Sequence, residues 1–113
     1  MIKNRDKGHN FERKLVTLLK DKFPKAVSSR QESRAMDALG IDIVNTEDFG
    51  IQCKSECKKT VKYIELLERV KKTKKHPIVA HQYTEKKGNR FYTKGEYVIM
   101  ELSTFIDLLN NKT

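Results

Sequence analysis

Four residues have the types and spacing to handle a phosphate ester: Glu12, Asp42, Gln52 and Lys54. In Gly40-Ile41-Asp42-Ile43-Val44 an acid interrupts an apolar run, and Gln52-Cys53-Lys54 sits on the next apolar run. Side chains alternate along a strand. Ile41 and Ile43 then face one way, and Asp42 and Val44 the other. Ile51 and Cys53 likewise oppose Gln52, Lys54 and Glu56. If the apolar residues of both strands share a core, Asp42, Gln52 and Lys54 share the opposite face. That arrangement demands an odd-numbered turn, because a slip of one residue reverses every side chain. Thr46–Asp48 or Thr46–Gly50 would serve.

Such a cluster fits a metal-dependent phosphodiesterase. Mg²⁺ or Mn²⁺ takes hard oxygen ligands. Asp42 offers a carboxylate, Gln52 its amide oxygen, and Cys53 its backbone carbonyl. The ion would activate water and offset charge in the transition state, and Lys54 would hold the water or stabilise that charge. The plainer alternative is an exposed cross-strand Asp42–Lys54 pair with Gln52 as an ordinary polar position, an interaction worth little. Two other features favour the catalytic reading: the position of Glu12 and the charge of the chain.

Glu12 lies in NFERKLVTLLKDKF, a helix that Asn10 would cap and Pro24 would stop. At about 100° per residue from Phe11, the apolar side chains of Leu15, Val16, Leu18, Leu19 and Phe23 cover about −20° to 140°. Glu12 falls inside that arc, at about 100°. There it needs a basic side chain, a helix N-terminal amide or a metal.

The chain has 113 residues, with 24 Lys and Arg against 15 Asp and Glu, a net charge of +9. That length fits one domain, 1–113, with residues 1–9 as a polar basic arm. The charge points to a polyanionic partner, nucleic acid among the candidates. An anionic membrane surface would fit the charge too, but no basic amphipathic stretch with exposed aromatics supports it, and no segment is long and apolar enough to span a bilayer. No secretion signal is evident, so a cytoplasmic setting is expected. Cys53 and Cys57 make neither a zinc motif nor a disulfide framework. Nothing points to a small-molecule cofactor. His9, His76 and His81 are isolated, with no nucleophile triad around them.

Residues 28–40 read as a loop or a short helical turn. Then come a hairpin from Ile41–Val44 and Ile51–Lys54, a helix over 60–73 and a strand in HPIVAHQYT. A basic turn region, EKKGNRFYTKG, a strand in EYVIMEL and a closing helix capped by Ser103 follow. The order is roughly α-β-β-α-β-β-α, an α/β fold with a small mixed sheet flanked by helices. Lys58, Lys59, Lys62, Lys71, Lys72, Lys74 and Lys75 surround the second helix. Lys86, Lys87, Arg90 and Lys94 crowd the later turn, beside Tyr83, Phe91 and Tyr92. With Arg13 and Lys14 the basic residues could hold phosphates.

Asp followed by Gln-x-Lys on a hairpin, after a helix bearing a Glu, resembles the PD-(D/E)XK nuclease superfamily. "KGHNFERKLVTLL" and "YVIMELSTFIDLL" are similar to segments of archaeal and phage-type Holliday-junction resolvases. The likeness covers most of residues 6–110. It implies a restriction-endonuclease-like core, Mg²⁺ or Mn²⁺, a homodimer, and paired nicks in a four-way junction. It matches Glu12, Asp42, Gln52 and Lys54 to catalytic positions, with Ser29, Arg30, Ser33 and Arg34 as candidates in the loop before the Asp. Gln52 replaces the usual acid, as in Mrr-type nucleases, which lowers the negative charge of the site; Glu56, further along on the same face, would compensate. Asp37 is a second candidate for the motif acid but lacks a strand context, and Glu47 and Asp48 fit a solvated turn. The rival expectations are a nuclease of the same fold acting on duplex or flap DNA, and a nucleic-acid-binding module without catalysis.

Overall fold

The computed structural model describes residues 4–56, 62–73 and 75–110. It is a mixed α/β fold: a five-stranded sheet in the order β1-β2-β3-β4-β5 with helices against it. Chain order is α1 (Asn4–Leu19), β1 (Val27–Ser28), α2 (Ser29–Glu32), α3 (Arg34–Ala38), β2 (Ile43–Val44), β3 (Phe49–Glu56), α4 (Tyr63–Lys71), β4 (His76–Lys87), β5 (Arg90–Met100) and α5 (Leu102–Leu109). The expected element order omitted β1, α2 and α3. These elements are too short to carry a hydrophobic period, so no pattern announces them.

Strands β3 and β4 are parallel, joined by the α4 crossover, and all other neighbours are antiparallel. Helix α1 packs over β3 and β1, and α4 over β4 and β3. On the α1 side, Phe23, Ala26, Ile43 and Ile51 form the core, with Leu15, Val16, Leu19, Phe49, Cys53 and Ile78 around them. Each fully buried Ile or Phe contributes about 1.5–3 kcal/mol. Below α4, Val70 lies so close to Gly50 that a Cβ there would overlap its Cγ1. This contact explains the glycine, which lies within a strand and would otherwise weaken it.

Several boundaries differ from the sequence expectation. Helix α1 begins at Asn4, so residues 4–9 belong to it rather than to an arm. Lys7 helps hold them. Its amine donates to Thr84 Oγ1 (3.2 Å) and lies over the Phe91 ring, burying its stem as long cationic side chains do. Asn10 therefore sits mid-helix and bonds Arg13. Leu18, placed by spacing at the edge of the apolar arc, is exposed.

The basic turn is narrower than it reads. Lys87 pairs with Arg90 around Gly88, whose positive φ of 63° suits a tight hairpin. Helix α5 is preceded by Glu101 at its N-cap and has no side-chain cap, so Ser103 is inside it. Cys57, Lys58, Lys59 and Lys74, as well as the start of the expected 60–73 helix, lie outside the described residues. No described helix is long and apolar enough to cross a membrane.

Candidate metal and phosphate site

The sheet parts at Asp42. Ile43 pairs with Ile51, leaving an odd number of residues between them, as the alternation required. One residue earlier the ladder loses its regularity. The Asp42 N–H donates to the Ile51 carbonyl (2.8 Å), and the Ile41 N–H turns away to the Met36 carbonyl (3.0 Å). On its other side, the Asp42 carbonyl accepts from the Ser29 N–H (2.8 Å). The Asp42 carboxylate fills the resulting gap, where Oδ2 accepts from the Cys53 N–H (2.7 Å).

Two expectations change as a result. Asp42 is turned into the ladder rather than standing off one face. Ile41 does not share the side of Ile43, because its Cδ1 lies beside Gly50 and Val70 under α4. A strand that leaves the ladder loses its strict alternation, and sequence spacing carries no mark of where that happens.

The other candidates reach this gap from different sides. Glu12 comes from α1 and is buried, as its place in the apolar arc required. Its Oε1 accepts from Ser28 Oγ (3.2 Å) and from the Arg30 guanidinium (3.3 Å). The partner it needs is thus Arg30, the first of the three options. Ser28 Oγ also accepts from the Arg30 N–H (3.2 Å), capping α2 and fixing that side chain's origin. Gln52 lies on the α4 side, where its Nε2 and the Arg69 side chain crowd Gly40. It is 4% exposed, and Oε1 has no hydrogen-bond partner among the described residues. Lys54 follows on the same strand and is partly buried.

Electrostatics shows which of these groups meet. The Asp42 carboxyl is raised from 3.8 to about 6. Burial is the main cause. The Cys53 N–H opposes it, the charges of Glu12 and Asp37 add to it, and Lys54 opposes it. Burial, then Asp42 and Glu12, also push the Cys53 thiol well above its usual value. Asp42, Glu12 and Lys54 therefore share one electrostatic neighbourhood. Asp37, set aside for want of a strand, belongs to it too: it sits on α3, where its Oδ1 accepts from the buried Ser29 hydroxyl (3.3 Å).

The loop candidates divide. Ser29 and Arg30 adjoin the acids. Ser33 caps α3 by accepting from the Met36 N–H (3.3 Å), and Arg34 is exposed on that helix. Arg13 bonds Asn10, Lys14 pairs with Glu96 (2.8 Å), and Lys62 is exposed just before α4. Sequence reasoning gave no part to Ser28 or Arg69. The capping-box pattern Ser28-x-x-Gln31 is the signal for Ser28, and Arg69 has none beyond its charge.

Among the described residues no three His, Cys, Asp or Glu side chains are grouped to hold a metal ion. An ion here would depend on mixed oxygen donors: the Asp42 carboxylate, Gln52 Oε1, the Cys53 carbonyl and, once shifted from Arg30, Glu12. Gln52 Oε1 fits that role, being a buried amide oxygen with nothing to accept from. Comparison with protein-family models, with curated proteins and with solved structures finds no match to this chain.

Proposed function

We propose that the chain is a Mg²⁺- or Mn²⁺-dependent endodeoxyribonuclease of PD-(D/E)XK type, acting as a Holliday-junction resolvase. One observation carries the reading. A desolvated carboxylate, Asp42, lies where the sheet opens within reach of the charges of Glu12 and Lys54, and Gln52, on the strand that tethers it, holds a buried amide oxygen with no hydrogen-bond partner among the described residues. A buried polar atom without a partner is costly, and a bound cation would relieve Gln52 Oε1 of that cost.

When bound, the ion supplies a Lewis acid and an activated water. Asp42 binds through a carboxylate already tethered at Oδ2 by the Cys53 N–H, so its orientation is set before the substrate arrives. The Lys54 ammonium holds the attacking water or offsets charge on the phosphorus oxygens. As the water oxygen bonds to phosphorus it releases a proton to bulk water, one ester P–O bond breaks, and the departing oxygen takes up a proton from bulk water. Lysines and arginines around the gap hold the flanking phosphates, so binding weakens as salt rises. Junction selectivity and a dimer with two sites come from the family resemblance.

One finding favours a binding module instead. Arg30 already neutralises Glu12, which then has no need of a metal. The deciding assay is cleavage of a labelled four-way junction and a matched duplex, in Mg²⁺ or EDTA, by the parent, Asp42→Asn and Lys54→Ala. Paired nicks on the junction alone, lost in both variants, are the expected result. Junction binding without cleavage in Mg²⁺ or Mn²⁺ would leave only the module, and cutting of both substrates would remove junction selectivity.

A further inference from the structure

Helix α5 is inside out. At about 100° per residue from Leu102, the side chains of Leu108, Phe105, Leu109, Leu102 and Ile106 cover one arc of about 160°. All five are exposed, with Leu102 at 73% and Leu109 at 63%. The opposite side carries Thr104, which is buried, and Asp107, which is half-buried. These line a cavity of about 390 Å³ with Lys71, Lys75, Pro77 and Ser103. An ordinary surface helix does the reverse, turning its apolar stripe inward. Among the described elements none packs extensively along α5.

We infer that the outer face of α5 is the contact between two copies of this chain, packed helix against helix about a two-fold axis. Three observations select that occupant. Leu102, Phe105, Ile106 and Leu109 stand at i, i+3, i+4 and i+7, the spacing of a helix–helix seam that can meet its own copy. Their exposed parts together with Leu108 amount to roughly 500 Å², for side chains of about 150–200 Å² each. A standard interface takes roughly 800 Å² from each partner, somewhat over half of it apolar, so the match is close.

Charge gives the third reason. The chain carries +9, yet the one charged side chain of α5 is Asp107, on its inner side. Two like-charged copies meet here without opposing charges, and a polyanion finds nothing to bind. The preceding strand β5 is an edge of the sheet, and among the described residues no further strand covers that flank.

The face stands on its own geometry. It takes from the nuclease reading only the expectation of a dimer, and its test contains no DNA and reads no cleavage. Sedimentation equilibrium of the parent chain across about 1–100 µM should show a monomer–dimer equilibrium, with a Kd on the order of micromolar. Leu102→Glu should weaken the dimer about 100-fold and Leu109→Ser about 10-fold. Ile64→Glu, on α4 at 76% exposure, should leave it unchanged. Circular dichroism confirms that each variant is folded. A monomer at 100 µM, assembly beyond two copies, or a dimer indifferent to both α5 variants overturns the inference. A dimer weakened by both α5 variants supports it, whatever the separate cleavage assay shows.

Discussion

The two ends of the sheet break the same rule in opposite directions. At the β2–β3 end, polar groups are buried: Glu12, Gln52 and the carboxylate of Asp42. At the β5 end, apolar groups are exposed, and α5 turns five large side chains to solvent. Burying an unpaired polar group and exposing an apolar patch are each unfavourable for an isolated chain. The difference lies in what would relieve each. The first end keeps a desolvated carboxylate and an amide oxygen with no partner among the described residues, whose lone pairs a cation would take. The second lacks only cover, which a matching apolar surface provides.

Breaking the polar end should have the largest effect. Under the nuclease reading, Asp42→Asn or Lys54→Ala lowers single-turnover cleavage about a thousandfold or more, equivalent to roughly 4 kcal/mol of barrier. Retained cleavage in either variant would show that the group is not part of the machinery.

The same Asp42→Asn variant separates stability from activity. Because the folded state raises the carboxyl from 3.8 to about 6, it holds this proton more tightly than the unfolded chain. Stability therefore falls as pH rises from about 4 to 6, and the deficit is complete above that window. Asparagine removes the ionisation and keeps an acceptor for the Cys53 N–H. Urea melts at pH 7.5 should show the variant more stable by up to about 3 kcal/mol, with the gain gone below pH 4. Mg²⁺ should stabilise the parent alone and narrow the gap. A variant no more stable than the parent at pH 7.5 would mean that Asp42 is relieved by some other group.

A change between the two ends serves as a packing reference. Gly50→Ala forces a methyl onto Val70 beneath α4 and should cost about 1–3 kcal/mol in thermal or chemical unfolding. A neutral result would mean that α4 moves easily over the site.

The smallest effect is expected at the apolar end's surface charges. Lys14 and Glu96 are paired yet well exposed, at 52% and 34%. Lys14→Ala should change stability by less than about 1 kcal/mol, and by less still in high salt. A larger loss would show that the pair anchors α1 to β5.

Much of this was legible from residue order. Period-two alternation marked β3, and the period of 3.6 marked α1 and α4, because both report directly on which side chains are buried. Glu12 announced its inward position for the same reason. The odd spacing of the β2–β3 pair followed from parity alone. The short elements β1, α2 and α3 stayed hidden, since a few residues cannot show a period. Arg30 was a candidate for phosphate, and its bond to Glu12 depends on α2 being capped by Ser28.

Residue order by itself therefore determined the class of fold, the inward Glu12 and the nearness of Asp42 to the Gln-x-Lys strand. All three depend on local periodicity. Only the tertiary structure decided that Asp42 turns into the ladder, that Gln52 Oε1 has no partner among the described residues, and that α5 shows its apolar face to solvent. Those outcomes depend on which segments meet across the sheet and which meet nothing. A helix carries the same sequence stripe whether it faces the core or a second molecule.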